Sequence, residues 1–121
     1  MYKQAEEERG HMLKFVRFLN DVGEHAAISG VKEPAGTYKD IEQAFQESLR
    51  HEKIVTASIN NIFTVARENN DYAVTSFLKW FVDEQVEEEA TAKRAIEIIK
   101  MAGKVSMYLA DKEIAGLRSA K

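Results

Sequence analysis

Residues 76–89 read Ser-Phe-Leu-Lys-Trp-Phe-Val-Asp-Glu-Gln-Val-Glu-Glu-Glu. Steps of three and four residues through this stretch pick out Phe77/Leu78, Phe81, Gln85 and Glu88, and the same steps reach Val74 before it and Ala92, Ala95 and Ile99 after it. A stripe with that period is one face of an amphipathic helix. The helix is predicted over 71–102, capped by Asn70 or Asp71 and closed by Gly103. A run of acids is usually a solvated face, and Asp83 and Glu89 fit that reading. The seven residues from Asp83 to Glu89 nevertheless span two turns, so Gln85 and Glu88 must point inward between Phe81 and Ala92.

The same periodicity gives two more long helices. Over 38–68 the stripe runs Ile41, Phe45, Ser48/Leu49, Glu52, Val55, Ile59, Ile62/Phe63 and Ala66, with Thr37 as the expected cap and Asp40 reaching back to it. Over 2–22 it runs Ala5, Glu8, His11/Met12, Phe15, Leu19 and Val22, stopping at Gly23, with Gly10 an interior cost of about 1 kcal/mol against Ala. A short helix is expected over 106–117. The segment 23–37 is the linker, since 23–36 hold three of the six Gly and the only Pro. A linker of about 14 residues can stretch to about 48 Å and so travel the length of a helix of about 31 Å. The two- or three-residue connection at Asn69–Asn70 makes its flanking helices antiparallel neighbours. A long crossover joined to a tight hairpin matches the four-helix bundles that hold carboxylate-bridged metal pairs. The expectation is one all-α domain over 1–121.

Composition removes several functions. The chain is 45% hydrophobic and 31% charged with a net charge of −3, which gives no basic field for nucleic acid. Its longest apolar run is four residues (107–110) and its N-terminus is charged from Lys3, so no membrane span or signal peptide is expected and the chain is placed in the cytoplasm. With no Cys, disulfides, thiolate zinc sites and iron–sulfur clusters are excluded, and any metal must be held by oxygen and imidazole.

The candidate metal ligands are the polar residues on the apolar stripes: Glu8, His11, Glu52, Gln85 and Glu88. Charged groups enter a core only when paired or bound to metal. Glu8-x-x-His11 puts a carboxylate and an imidazole on one helix face, within reach of one ion. An isolated E-x-x-H is more often a solvated coincidence, and its place on the stripe is what raises it. Glu52 lies between Leu49 and Val55 and needs a partner. His25 in the linker and His51 beside the stripe read as surface residues, and Phe77, Trp80 and Phe81 as packing.

On these residues the sequence resembles the bacterial and archaeal non-haem ferritins. The resemblance is carried by Lys3-Gln4-Ala5-Glu6-Glu7-Glu8 leading to His11, by Arg50-His51-Glu52, and by the fourteen residues 76–89, and it extends from Met1 to about Gly103. It implies a ferritin-like helical bundle with a di-iron centre. Glu8 would bridge the irons, His11 would bind the first, and Glu52 and Glu88 the second, with Gln85 a nearby polar group and Glu7, Glu84 and Glu87 a looser third site. Gln85-x-x-Glu88 stands where symmetric di-iron enzymes and rubrerythrin-type peroxidases carry a second E-x-x-H, and a weaker second site suits iron that is oxidised and passed on. The implied activity is Fe(II) oxidation by oxygen or peroxide (ferroxidase) followed by iron storage, in a homo-oligomer. Zinc or manganese could substitute for iron, since carboxylate and imidazole suit them too.

Against the family's pattern, the chain looks as if it starts inside the second helix. The first helix would supply another terminal Glu and a Tyr. The expectation is therefore three long helices plus a short C-terminal one, with the first helix of the four-helix bundle missing. Three amphipathic helices would expose an apolar groove larger than monomers tolerate, so association with a second chain is expected to fill it. The competing reading is a truncated, non-catalytic helical assembly that keeps acidic metal-binding residues.

Overall fold

The computed structural model of the chain describes residues 2–34, 36–103 and 107–119. Among them are four α-helices and no strand: α1 (Tyr2–Asp21), α2 (Ile41–Glu68), α3 (Tyr72–Ala102) and α4 (Met107–Ser119). Among the described residues these are the three long helices and the short C-terminal helix expected from the sequence. The expected start of the last helix, Ser106, lies outside the described residues. The chain divides into two compact units, residues 1–35 and 36–121.

In the first unit, α1 ends as its sequence dictates. Gly23 has φ 82°, a left-handed conformation that costs a glycine nothing. That geometry lets Gly23 N–H donate to the Asn20 carbonyl (3.1 Å) and Glu24 N–H to the Leu19 carbonyl (2.8 Å), the Schellman closure. The amphipathic stripe is present, but no residue of α1 is buried. Phe15 and Leu19 are half-buried, whereas Met12 and Val22, expected inward, are 48% and 45% exposed.

The second unit is a helical hairpin with α4 folded onto one end. Asp40 rather than Thr37 caps α2, because Asp40 Oδ1 accepts from Gln43 N–H at 2.8 Å while Gln43 Oε1 accepts from Lys39 N–H. The Asp-x-x-Gln pair resembles a capping box, with Gln43 reaching the N–H one residue before the cap, and it starts the helix at Ile41 instead of residue 38. At the other end Asn70 takes φ 55°, Asn70 N–H donates to the Arg67 carbonyl and Asp71 N–H to the Ala66 carbonyl. Asp71 then caps α3 by accepting from Val74 N–H at 3.2 Å. Three residues thus close one helix and open the next, which forces α2 and α3 to pack side by side.

Burial along α3 follows the sequence stripe: Leu78, Phe81, Gln85, Glu88, Ala92, Ala95 and Ile99 are its buried residues. On α2 only Ile59 and Ala66 are buried, and Val55 and Ile62 are 44% and 45% exposed against expectation. An apolar stripe is about 100° wide or more, and a single neighbouring helix covers only part of that arc. The far end of the hairpin is closed by Ile114 of α4 against Ala95 and Ile99, with Ile41 and Phe45 of α2 alongside. Lys100 and Glu42 add an ion pair there at 3.8 Å. No helix of the described residues is long and apolar enough to cross a membrane.

Candidate metal centre

Midway along the hairpin the apolar stripe is interrupted by a polar set facing across it: Glu52 and Thr56 from α2, and Gln85, Glu88 and Glu89 from α3. Glu52 and Thr56 are four residues apart, as are Gln85 and Glu89, so each pair lies on one face of its helix. Glu88 is 2% exposed and Gln85 6%, and Glu52, Thr56 and Glu89 are half-buried. Phe81, one turn from Gln85, seals one side, with Trp80 edge-on to it at 4.9 Å and Phe77 at 5.2 Å between ring centroids.

The hydrogen bonds are continuous. Gln85 Nε2 donates to Glu52 Oε2 (3.1 Å), to the Glu52 carbonyl (3.1 Å) and to Thr56 Oγ1 (3.0 Å). Thr56 Oγ1 lies 2.8 Å from Glu89 Oε2 and 2.9 Å from the Glu52 carbonyl. Carboxylate and carbonyl oxygens accept only, so the end of the Gln85 amide that meets them must be its NH₂ group. Its oxygen is then the one side-chain atom of Gln85 with the chemistry to ligate a cation.

Carboxylate oxygens of Glu52 and Glu88 lie within 4.8 Å of each other. Two charged carboxylates at that separation repel by roughly 3 kcal/mol at an effective dielectric near 20. A cation between them reverses the sign of that interaction, and the donor set, oxygen throughout, suits a hard ion. Glu84 is half-buried and Glu87 exposed, and neither joins Glu52 and Glu88 in a cluster among the described residues. A groove of about 420 Å³ elsewhere between α2 and α3, lined by Asn60, Phe63, Thr64, Lys79, Val82 and Asp83, has a single carboxylate among its lining side chains and gathers no ligand set.

In the first unit, Glu8 and His11 meet as their spacing requires. Glu8 Oε2 is 3.3 Å from His11 Nδ1, and Glu8 Oε1 accepts from Gln4 Nε2 at 2.8 Å. The imidazole side chain is 20% exposed and the carboxylate side chain 49%. Glu7, beside them, is half-buried.

Two members of the polar set escaped the sequence reading. Glu89, expected on the solvated face, is half-buried and accepts the Thr56 hydroxyl. Thr56 is an ordinary helix threonine in the sequence, and it stands one turn from Glu52 on the same face. The signal that could have found both is the matched four-residue spacing on two helices joined by a tight turn.

Known proteins give the frame for this geometry. Residues 1–102 match the ferritin-like domain family. The bacterial non-heme ferritin of Staphylococcus epidermidis is 42% identical over 115 residues, which is 93% of this chain and 69% of that protein. The bacterial non-heme ferritin of Escherichia coli O157:H7 is 37% identical over 117 residues, 95% of this chain and 71% of that protein. Among solved structures, an open pore ferritin from the archaeon Archaeoglobus fulgidus superposes with a TM-score of 0.84 at 33% identity, covering 90% of this chain and 68% of that one. A humanized archaeal ferritin gives 0.88 at 32% identity, covering 92% and 69%. With residues 1–102 of its 121 matched by the family and relatives this similar, the chain belongs to the ferritin-like family.

Proposed function

We propose that the protein binds and stores iron as a ferritin subunit, and that it oxidises Fe(II) at a di-iron site to which Glu52 and Glu88 contribute from the α2–α3 hairpin and Glu8 and His11 from α1. Iron binding and storage is supported by the family and by the non-heme ferritins to which the chain is similar. The observation that carries the site is the pair of carboxylates held within 4.8 Å, one of them 2% exposed. Iron is the substrate here. Carboxylates are hard ligands that favour Fe(III) over Fe(II), so a carboxylate-rich site eases the loss of one electron from each ion to dioxygen or peroxide. Glu8-x-x-His11 would supply the imidazole and a further carboxylate, and Glu7, Glu84 and Glu87 would form a looser third site from which ions pass on. Zinc and manganese are competitors for the same donors.

The test is aerobic addition of Fe(II) followed by the absorbance of the ferric product. The expected result is oxidation well above the buffer rate, falling toward it in Glu52→Ala/Glu88→Ala. Oxidation no faster than buffer in the unaltered protein would leave a non-catalytic helical assembly. Unchanged iron binding in the double variant would remove the proposed site itself.

Self-association belongs to the same proposal. Ile54, Val55, Ile62 and Val65 on α2 and Val86 on α3 are between 44% and 69% exposed, more apolar surface than one isolated hairpin needs. Sedimentation of a compact monomer at micromolar concentration would exclude it.

A further inference from the structure

We propose that Thr56 and Glu89 are positioning residues that fix the Glu52 carboxylate through the Gln85 amide. The inference rests on the reading of Glu52 and Glu88 as metal ligands and adds two residues to it. Its basis is the direction of each hydrogen bond. Gln85 must present NH₂ to Glu52, for the acceptor-only reason given above. That same NH₂ is 3.0 Å from Thr56 Oγ1, so the hydroxyl oxygen accepts there and its single proton must go elsewhere. Two acceptors are within reach, the Glu52 carbonyl at 2.9 Å and Glu89 Oε2 at 2.8 Å. The carboxylate is the stronger, since hydrogen bonds to charged acceptors are about twice as strong as neutral ones. Glu89 therefore turns the hydroxyl, the hydroxyl turns the amide, and the amide holds Glu52 Oε2.

Such a chain matters because a carboxylate ligand left to rotate has to be ordered when the ion arrives. Outer-shell partners of metal ligands typically change metal affinity about 10–100-fold when removed. The half-buried setting of Thr56 and Glu89 and the burial of Gln85 keep water from replacing the chain at low cost.

The experiment is a titration of the full chain with Co(II) alone, read by affinity and by the visible d–d absorption of the bound ion, with helicity checked by circular dichroism. Thr56→Val keeps the shape and removes the hydroxyl, and is expected to weaken the tightest Co(II) binding by about 10-fold or more and to alter the absorption band. Thr56→Ser restores the hydroxyl and is expected to return both toward the unaltered protein. Glu89→Gln keeps the shape, loses the charge and is expected to fall between them. Unchanged affinity and spectrum in Thr56→Val, or equal damage in Thr56→Ser, would overturn the proposal. Should Thr56→Val not fold, Glu89→Gln with the affinity and spectrum of the unaltered protein would overturn it alone. Glu52→Ala/Glu88→Ala separates the two levels. If that variant loses Co(II) binding while Thr56→Val does not, only the positioning role fails; if it binds Co(II) normally, the site and the positioning role fail together.

Discussion

Two regions of the chain carry a carboxylate beside a second polar group at helical spacing, and they differ in what holds the pair. On α1, Glu8 and His11 meet at 3.3 Å within one turn, with the carboxylate side chain 49% exposed. In the α2–α3 hairpin, Glu52 is held by Gln85, a residue 33 positions away, inside a set that includes the 2%-exposed Glu88. The first arrangement is available to any isolated helix. The second exists only when two helices are packed, so its geometry is as rigid as the packing. A motif within one turn brings ligand atoms together, and burial across a hairpin gives them a fixed direction.

Five measurements would break or sharpen that contrast. The largest effect is expected from Leu78→Ala, which empties a 1%-exposed site in the hairpin and should lower stability to urea by about 2–5 kcal/mol. A loss smaller than that of Leu19→Ala in half-buried α1 would contradict the division between a packed hairpin and a lightly buried helix. Next is ligand linkage: a metal ion at one hundred times its dissociation constant should stabilise the folded protein by about 2.7 kcal/mol. That shift in thermal midpoint should vanish in Glu52→Ala/Glu88→Ala. Removing the cap of α2 or α3, with Asp40→Ala or Asp71→Ala, should cost about 1 kcal/mol each. Gly10→Ala should stabilise by up to about 1 kcal/mol, since a Cβ there meets no atom within 4 Å. The smallest effect is the coupling of Glu8 to His11 in metal-free protein, which a double-mutant cycle should place below about 1 kcal/mol.

How much of this was readable beforehand depended on how each helix is covered. On α3 every buried residue lies on the stripe counted from Val74, because α2 packs along one side of the helix and Ile114 of α4 covers Ala95 and Ile99 near its end. On α2 and α1 the same periodicity named Val55, Ile62, Met12 and Val22 as inward, and all four are exposed. Periodicity reports an amphipathic arc without saying how much of it a neighbour reaches. The inward direction of Gln85 and Glu88 was legible because a seven-residue acidic run cannot stay on one face. The places of Thr56 and Glu89 were not, since a threonine and a run-end glutamate acquire meaning only when the facing helix is known. The cap of α2 lies three residues beyond the expected Thr37 because Thr37 and Asp40 both satisfy the same rule, and only Asp40 has Gln43 to answer it.

The ladder of Glu52, Thr56, Gln85 and Glu89 also acts as a registration mark for the hairpin. Apolar stripes tolerate sliding, because one turn of an α-helix, about 5.4 Å, exchanges one aliphatic layer for another. Sliding α3 by one turn in one direction would put Glu89 where Gln85 stands, carboxylate against the carboxylate of Glu52. Sliding it the other way would put the Phe81 ring there, and leave the Thr56 hydroxyl facing carbon. Each misalignment leaves half-buried polar groups unanswered, so the residues that orient the candidate ligands also select the single alignment in which the two helices lock.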